Sequence, residues 1–382
     1  MRSRIRLGMV GGGQGAFIGA VHRMAARLDD RYELVAGAFS ADPARVRASA
    51  AELHVAPDRA YADWHQMAAA EAARPDGVQA VAIVTPNHLH AAPAIAFLDR
   101  GIHVICDKPL CDTLEAAEPL AEAARRSTAL FALTHNYTGS PMVRQARAMV
   151  AAGEIGTVRV VQVEYAQDWL TTRLEDTGQK QAAWRTDPAR SGPLGSVGDI
   201  GTHAFNLAEF VTGLAVESLA AELHSFVPGR ALDDNAQMLL RFAGGARGML
   251  WCSQVAPGNE NGLRLRVYGS EGGLDWSQEQ PNLLLHTPFG APPRLIRRGG
   301  PGTLPAAAHA TRIPAGHPEG YLEAFAQLYR DMAEQIAARA EGRAPDLACL
   351  LVPGIEEGLR GLRFAAAALA SSRSGARWTP LG

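Results

Sequence analysis

The chain has few cysteines. It carries four in 382 residues (Cys106, Cys111, Cys252 and Cys349), with no CxxC pair. Four thiols in so long a chain do not make a disulfide framework, and reduced thiols in a cytoplasmic protein are the simpler expectation. No set of His, Cys and carboxylate residues has metal-ligand spacing, so no metal centre is expected. Blocks of one charge are also missing: 37 Lys and Arg stand against 39 Asp and Glu, for a formal net charge of −2. Nucleic acid and anionic membrane are therefore not expected partners. No apolar stretch approaches the roughly 20 residues of a spanning helix. Arg2, Arg4 and Arg6 before a small apolar run imitate a secretory signal, but cleavage there would remove the first strand. Internal repeats and low-complexity tracts are absent. What is present is a hydrophobic fraction of 47% and length for two domains of ordinary size.

Short apolar runs alternate with helical patterns through the first third of the chain. Residues 5–10, 32–39, 79–84, 101–106 and 129–134 read as strands. Residues 18–28, 43–53, 90–100 and 113–126 read as helices. This alternation predicts βαβ units in a doubly wound parallel sheet with helices on both faces. The pattern changes after residue 137. A helix at 141–152 precedes strand candidates at 157–166, 216–226, 236–243, 246–254, 263–269 and 282–286. Strands without helices between them predict a large, mostly antiparallel open sheet in an α+β domain. Residues 287–316 read as a long Pro/Gly/Ala-rich loop, and 319–341 as a helix. The expected division is 1–137 and 138–382, with the last helices free to pack back on the first domain.

The turn Val10-Gly11-Gly12-Gly13-Gln14-Gly15-Ala16 follows the first strand and opens the first helix. Such a turn brings backbone close to a pyrophosphate at a helix N-terminus. Gly11, Gly13 and Ala16 fit the dinucleotide fingerprint, with Gln14 and Gly15 in the same turn. A register through Gly13, Gly15 and Gly19 fits an enlarged one. Ser40 stands where an acid would select NAD against NADP. Asp42 lies two residues on, and Arg45 is either a partner for a phosphate or only a solvated helix residue, so the choice between the cofactors stays open.

Val84-Thr85-Pro86-Asn87-His88 ends the third strand, and Asp107-Lys108-Pro109 ends the fourth. Ligands of open parallel sheets bind at these carboxyl ends, so Thr85, Pro86, Asn87, Asp107 and Lys108, with His90 just beyond, are cofactor-side candidates. Much later, Asp199 and His203 are spaced four apart after a glycine-rich segment, Ser191 to Gly198. On a helix that spacing gives them one face. Lysine, aspartate and histidine supply what is needed to move a proton on and off a hydroxyl. Tyr137, Arg185 and His317 are weaker candidates for substrate contact.

In these motifs the chain resembles the glucose–fructose oxidoreductase/inositol dehydrogenase (Gfo/Idh/MocA) family. The resemblance spans essentially the whole length. It rests on the glycine turn followed by Gly19-Ala-Val-His22, on Thr-Pro-Asn-His-Leu-His at 85–90, on Asp-Lys-Pro at 107–109 and on Gly-Asp-Ile-Gly-Thr-His at 198–203. It implies an N-terminal Rossmann domain, a C-terminal domain with a large open sheet, and a homodimer or homotetramer assembled through that sheet. It implies that Lys108, Asp199 and His203 carry catalysis. It also implies NAD or NADP as cofactor, and hydride transfer to or from a sugar, cyclic polyol or sugar derivative. A dinucleotide-dependent glycosidase and a non-catalytic sugar or nucleotide sensor are the alternatives. Asp107 departs from the glutamate more usual there.

Overall fold

The computed structural model describes residues 4–382. Arg2 lies outside them. Arg4 is exposed, and Ile5–Gly11 forms β1. The chain divides into two units. One runs to Gly139 and resumes at Tyr321–Leu359; the other comprises Ser140–Gly320 and Arg360–Gly382. The helix expected at 319–341 is found at Tyr321–Ala340 and belongs to the first unit.

The first unit is built on five parallel strands: β1, β2 (Tyr32–Ala38), β3 (Ala80–Val84), β4 (His103–Cys106) and β5 (Phe131–Leu133). Their order is β2-β1-β3-β4-β5, so the order of winding, not the strand direction, reverses between β1 and β3. β3 is buried at every position, as a central parallel strand covered on both faces must be. The connecting helices are α1 (Phe17–Leu28), α2 (Pro43–Glu52), α3 (Trp64–Ala73), α4 (Ala91–Leu98) and α5 (Leu114–Arg126). Sequence periodicity misses α3, whose run Trp-His-Gln-Met-Ala-Ala-Ala-Glu-Ala-Ala has little apolar contrast. Asp63 starts it by accepting from Gln66 N at 2.9 Å, and Glu71 on its buried side holds Arg59 and the Tyr61 hydroxyl. The core joins β1, β2 and α1 to Phe325, Tyr329, Met332 and Ile336 of the returning helix.

The second unit carries a nine-stranded sheet. Its strands are β6 (Val158–Ala166), β7 (Val216–His224), β8 (Asn235–Phe242), β9 (Arg247–Ser253), β10 (Gly262–Gly269), β11 (Gly272–Ser277), β12 (Leu283–Pro288), β13 (Arg294–Arg297) and β14 (Thr379–Pro380). The order is β13-β12-β11-β10-β6-β9-β8-β7-β14. Only β6 and β9 pair in parallel; every other pair is antiparallel. Burial alternates along each central strand. Val161, Val163, Leu250, Leu263, Leu265 and Val267 face inward, beneath the helix Thr202–Thr212.

The loop expected over 287–316 is partly ordered. It contains β13 and a short helix, Pro305–Ala310. Its hub is Arg298, 2% exposed. That side chain donates to Asn282 Oδ1 and Ile313 O at 2.7 Å, to Glu319 Oε1 at 2.8 Å, to Pro314 O at 3.2 Å and to His317 O. Pro/Gly/Ala composition marks the segment as irregular but does not show that one buried guanidinium ties it down.

Candidate active site

The glycine turn is shaped by backbone. Gly11, Gly12 and Gly15 have φ of +80°, +69° and +74°, which only glycine adopts without strain. A Cβ on Gly12 would lie 2.7 Å from Val84 Cγ2 and 3.1 Å from Gly19 Cα, so Gly12 and Gly19 supply the close approach of α1 to the sheet. A Cβ on Gly15 would meet nothing within 4 Å, so the turn is open on the side a phosphate would take. Gly13 N donates to Phe39 O at 3.3 Å. Ala16 stands at the N-cap of α1 with no side-chain cap, which leaves that end of the helix to a ligand. These features fit a dinucleotide.

Three props of this turn were not foreseen. Arg23 donates to Gly12 O at 2.5 Å, Ser49 Oγ accepts from Gln14 N at 3.1 Å, and Glu52 accepts from the Gln14 amide at 2.8 Å. Gln14 is thus tied to α2. No local motif marks these long-range partners. At the end of β2, Ser40 Oγ accepts from Asp42 N at 3.1 Å, and Asp42 caps α2 by accepting from Ala44 N at 2.9 Å.

At the next strand ends, Thr85 Oγ1 donates to Leu89 O at 3.0 Å, Pro86 is half-buried, and Asn87 is buried at 9% exposure. His90 is fully buried, with its ring nitrogens 2.8 Å from Pro109 O and 2.8 Å from Thr85 O. It ties together the two loops that carry Thr85 and Lys108, and the Lys108–Pro109 bond is cis. Burial pushes the His90 imidazole below its usual range. Asp107 accepts from Thr134 Oγ1 at 3.0 Å. His135 and Tyr137 are buried, Tyr137 edge-on to Tyr321 with ring centroids 6.4 Å apart. Burial, then the Lys108 charge, push His135 down to about 3.

In the second unit the Asp199 segment is not a plain α-helix. Val197–Gly201 is a π-helical turn, and the α-helix Thr202–Thr212 continues from it. π turns inside helices recur at functional sites. Asp199 therefore sits in the wide turn, and His203 is the second residue of the α-helix. The helix start is held from a distance: the Asp233 carboxylate accepts from Gly195 N at 2.7 Å, Ser196 Oγ at 2.7 Å and Val197 N at 2.9 Å. Burial still leaves Asp233 above the ordinary carboxylate range. Asp199 Oδ2 takes Arg185 Nε at 3.2 Å and Gln254 Nε2 at 3.0 Å. Arg185 also lies 4.3 Å over the Trp184 ring. His203 is 8% exposed, its ring centroid 6.2 Å from that of Tyr165. Arg185, a weaker candidate for substrate contact, pairs with Asp199. His317 is exposed, held through its carbonyl by Arg298. Gln254 and Asp233 lie far from residue 199 in sequence and had no signal of their own.

Known proteins share this architecture. A model of the oxidoreductase family's NAD-binding Rossmann fold matches residues 5–135, and one of the Gfo/Idh/MocA C-terminal domain matches residues 143–275. The uncharacterized oxidoreductase YfiI of Bacillus subtilis (strain 168) is 34% identical over 380 residues, 98% of this chain and 96% of that protein. The crystal structure of an oxidoreductase from Sinorhizobium meliloti is 56% identical, with a TM-score of 0.90 and 99% of each chain covered. An inositol dehydrogenase homolog from Azotobacter vinelandii, solved with NADH and myo-inositol, is 39% identical, with a TM-score of 0.91 and 100% and 98% of the two chains covered. With both its domains matched and the glycine turn fit for a dinucleotide, this chain belongs to the Gfo/Idh/MocA family of NAD-binding oxidoreductases.

Proposed function

We propose that the protein oxidises a secondary alcohol of a cyclic polyol or sugar, or reduces the matching ketone, with Lys108, Asp199 and His203 as its catalytic residues. The observation that carries this reading is the Asp199 carboxylate, gripped by Arg185 and Gln254 in the π turn that leads into His203. A carboxylate fixed by two donors keeps one geometry, as a group serving proton transfer needs. When bound, the nicotinamide supplies a hydride acceptor or donor. In the oxidative direction His203 takes the hydroxyl proton, and Lys108 donates a hydrogen bond to the same oxygen and stabilises its developing charge. Reduction runs the same transfers backwards. The chain has only two lysines, Lys108 and Lys180, among its 37 Lys and Arg. Lysine stands at 108 in a chain whose basic residues are nearly all arginine, in keeping with a role for an amine rather than a guanidinium.

The glycine turn, Thr85–Asn87 and Asp107 serve the cofactor, with His90 holding their loops. NADP is tolerated beside NAD, because Ser40 brings no carboxylate to the ribose and Asp42 is committed to capping α2. The protein is cytoplasmic, and two or four copies assemble through the outer sheet face, where Leu239, Met249, Leu285 and Leu295 are exposed.

The test is nicotinamide absorbance across inositols, hexoses and keto-sugars with each cofactor. At least one should give net turnover. Cleavage of a glycoside without net NADH would point to transient oxidation, and ligand binding without chemistry would point to a sensor.

A further inference from the structure

The segment Gly19-Ala-Val-His22 has no part in the chemistry above, yet His22 is fully buried, with one ring nitrogen hydrogen-bonded and the other within ion-pair distance of a carboxylate. Its Nδ1 lies 2.8 Å from the Tyr329 hydroxyl, and its Nε2 lies 3.6 Å from Asp107 Oδ1. Burial pushes the Tyr329 phenol well above its ordinary range, so that hydroxyl keeps a proton to donate. The tautomer that suits both neighbours accepts from Tyr329 at Nδ1 and directs Nε2–H towards the carboxylate. Edge contacts with Phe325 and Tyr329, at centroid distances of 5.1 and 5.8 Å, fix the ring plane. Asp107 Oδ1 also accepts from Thr134 Oγ1 at 3.0 Å. One oxygen of the residue before Lys108 thus takes a hydrogen bond from the end of β5 and has an imidazole of α1 within ion-pair distance. Burial alone would raise Asp107; His22, then Lys108, more than offset it and hold the group below the usual carboxylate range.

We propose that His22 is a positioning residue for Lys108: with Thr134 it anchors the Asp107 carboxylate, and so holds the strand-end turn that aims the lysine amine. The aspartate gives this anchor a short reach. A glutamate would add one methylene between backbone and carboxylate, whereas Asp107 transmits any slack directly to the next residue. A buried apolar side chain at 22 would leave the Tyr329 hydroxyl and the carboxylate facing each other's surroundings without a donor between them, which is costly.

This inference rests on Lys108 acting on the substrate oxygen, so its test has two arms. The first compares His22→Ala and His22→Gln, each with and without Lys108→Ala, using NAD+ and the polyol of the panel that turns over fastest. His22→Ala should lower kcat by about tenfold, the scale of leaving a buried charged group short of one partner. NAD+ affinity, read by fluorescence, should be nearly unchanged. His22→Gln, whose amide still donates towards Asp107, should recover most of the loss. In the Lys108→Ala background His22→Ala should cost nothing further. Equal losses in both backgrounds would show a general structural role and overturn the proposal. The second arm needs no substrate: acylation of Lys108 by acetic anhydride is read by mass spectrometry against Lys180. The Lys108:Lys180 ratio should rise several-fold in His22→Ala and stay near wild type in His22→Gln; an unchanged ratio in His22→Ala would overturn the proposal even if no polyol is turned over. If His22→Ala does not fold, Thr134→Val removes the hydrogen bond to the same oxygen and takes its place in both arms, with the same expectations.

Discussion

The two units build their sites from different materials. In the first, the candidate cofactor surface is mostly backbone: Gly11, Gly12 and Gly15 bend the chain, while Arg23, Ser49 and Glu52 prop it from behind. In the second, the candidate site is made of side chains: Asp199 in the grip of Arg185 and Gln254, and His203 beside Tyr165. The difference follows from the task. Phosphates need N–H donors, which any chain offers once glycines let it turn. Proton transfer needs particular groups in set places, and each of those needs a partner of its own. Substitutions in the two units should therefore fail by different routes.

Lys108, proposed as catalytic, is the sharpest exception, a side chain in the backbone-built unit. Lys108→Ala should lower turnover by about 10²- to 10⁴-fold while NAD+ still binds. Steady-state rates beside a fluorescence titration check this; lost NAD+ binding would make Lys108 part of the cofactor surface instead. In the second unit, His203→Ala should cost about 10²-fold or more, and adding Asp199→Asn should cost little beyond that, since residues acting as a unit are not additive. Arg185→Ala should cost about tenfold in kcat through Asp199. Losses that multiply would break the unit apart.

Glycines separate the units by stability. Gly12→Ala would force a Cβ to 2.7 Å from Val84 Cγ2 at a positive φ, so it should destabilise by about 1–3 kcal/mol. Gly198→Ala meets only Leu194 Cβ at 3.4 Å in a helical turn, so it should be neutral or stabilising by up to about 1 kcal/mol. Urea unfolding of the two variants gives the comparison directly.

The smallest effect is in pH. Burial pushes His135 down to about 3 and His103 down to about 4, and His103 Nδ1 accepts from Leu130 N at 2.9 Å. The unfolded histidines titrate near 6.5, so between about pH 6.5 and those values the unfolded chain binds protons that the folded first unit refuses. Its stability should fall as pH drops through that window. Asp233 in the second unit has the opposite sign: its contribution is fully present below the unfolded carboxylate value and is lost as pH rises towards its raised folded value. Amide exchange at pH 7 and pH 5 should show β4 and β5 opening more readily at the lower pH, and β8 much less affected.

The same contrast governs what could be read from the sequence. The five parallel strands and the glycine turn were legible because local patterns specify them: apolar runs between helices, and glycines where φ is positive. Helix α3 was not, because Ala-rich composition blurs its buried side. The π turn at Val197–Gly201 was invisible, since spacing alone cannot distinguish it from an α-helical turn, and β11 and β13 were missed as short strands among glycines and prolines. Of the candidate site, the residues proposed to bear chemistry are legible as motifs. Their braces, Arg23, Ser49, Gln254 and Asp233, are single residues brought in by tertiary folding, and the sequence alone does not show that Arg185 pairs with Asp199.

The central claim is hydride transfer from carbinol carbon to nicotinamide. Its most direct test uses the active polyol deuterated at the reacting carbon, with the NADH formed analysed by NMR. One deuterium at nicotinamide C4 for each ketone produced is the predicted result. Ketone formed with the deuterium lost to solvent, or glycosidic cleavage with no NADH, would contradict it.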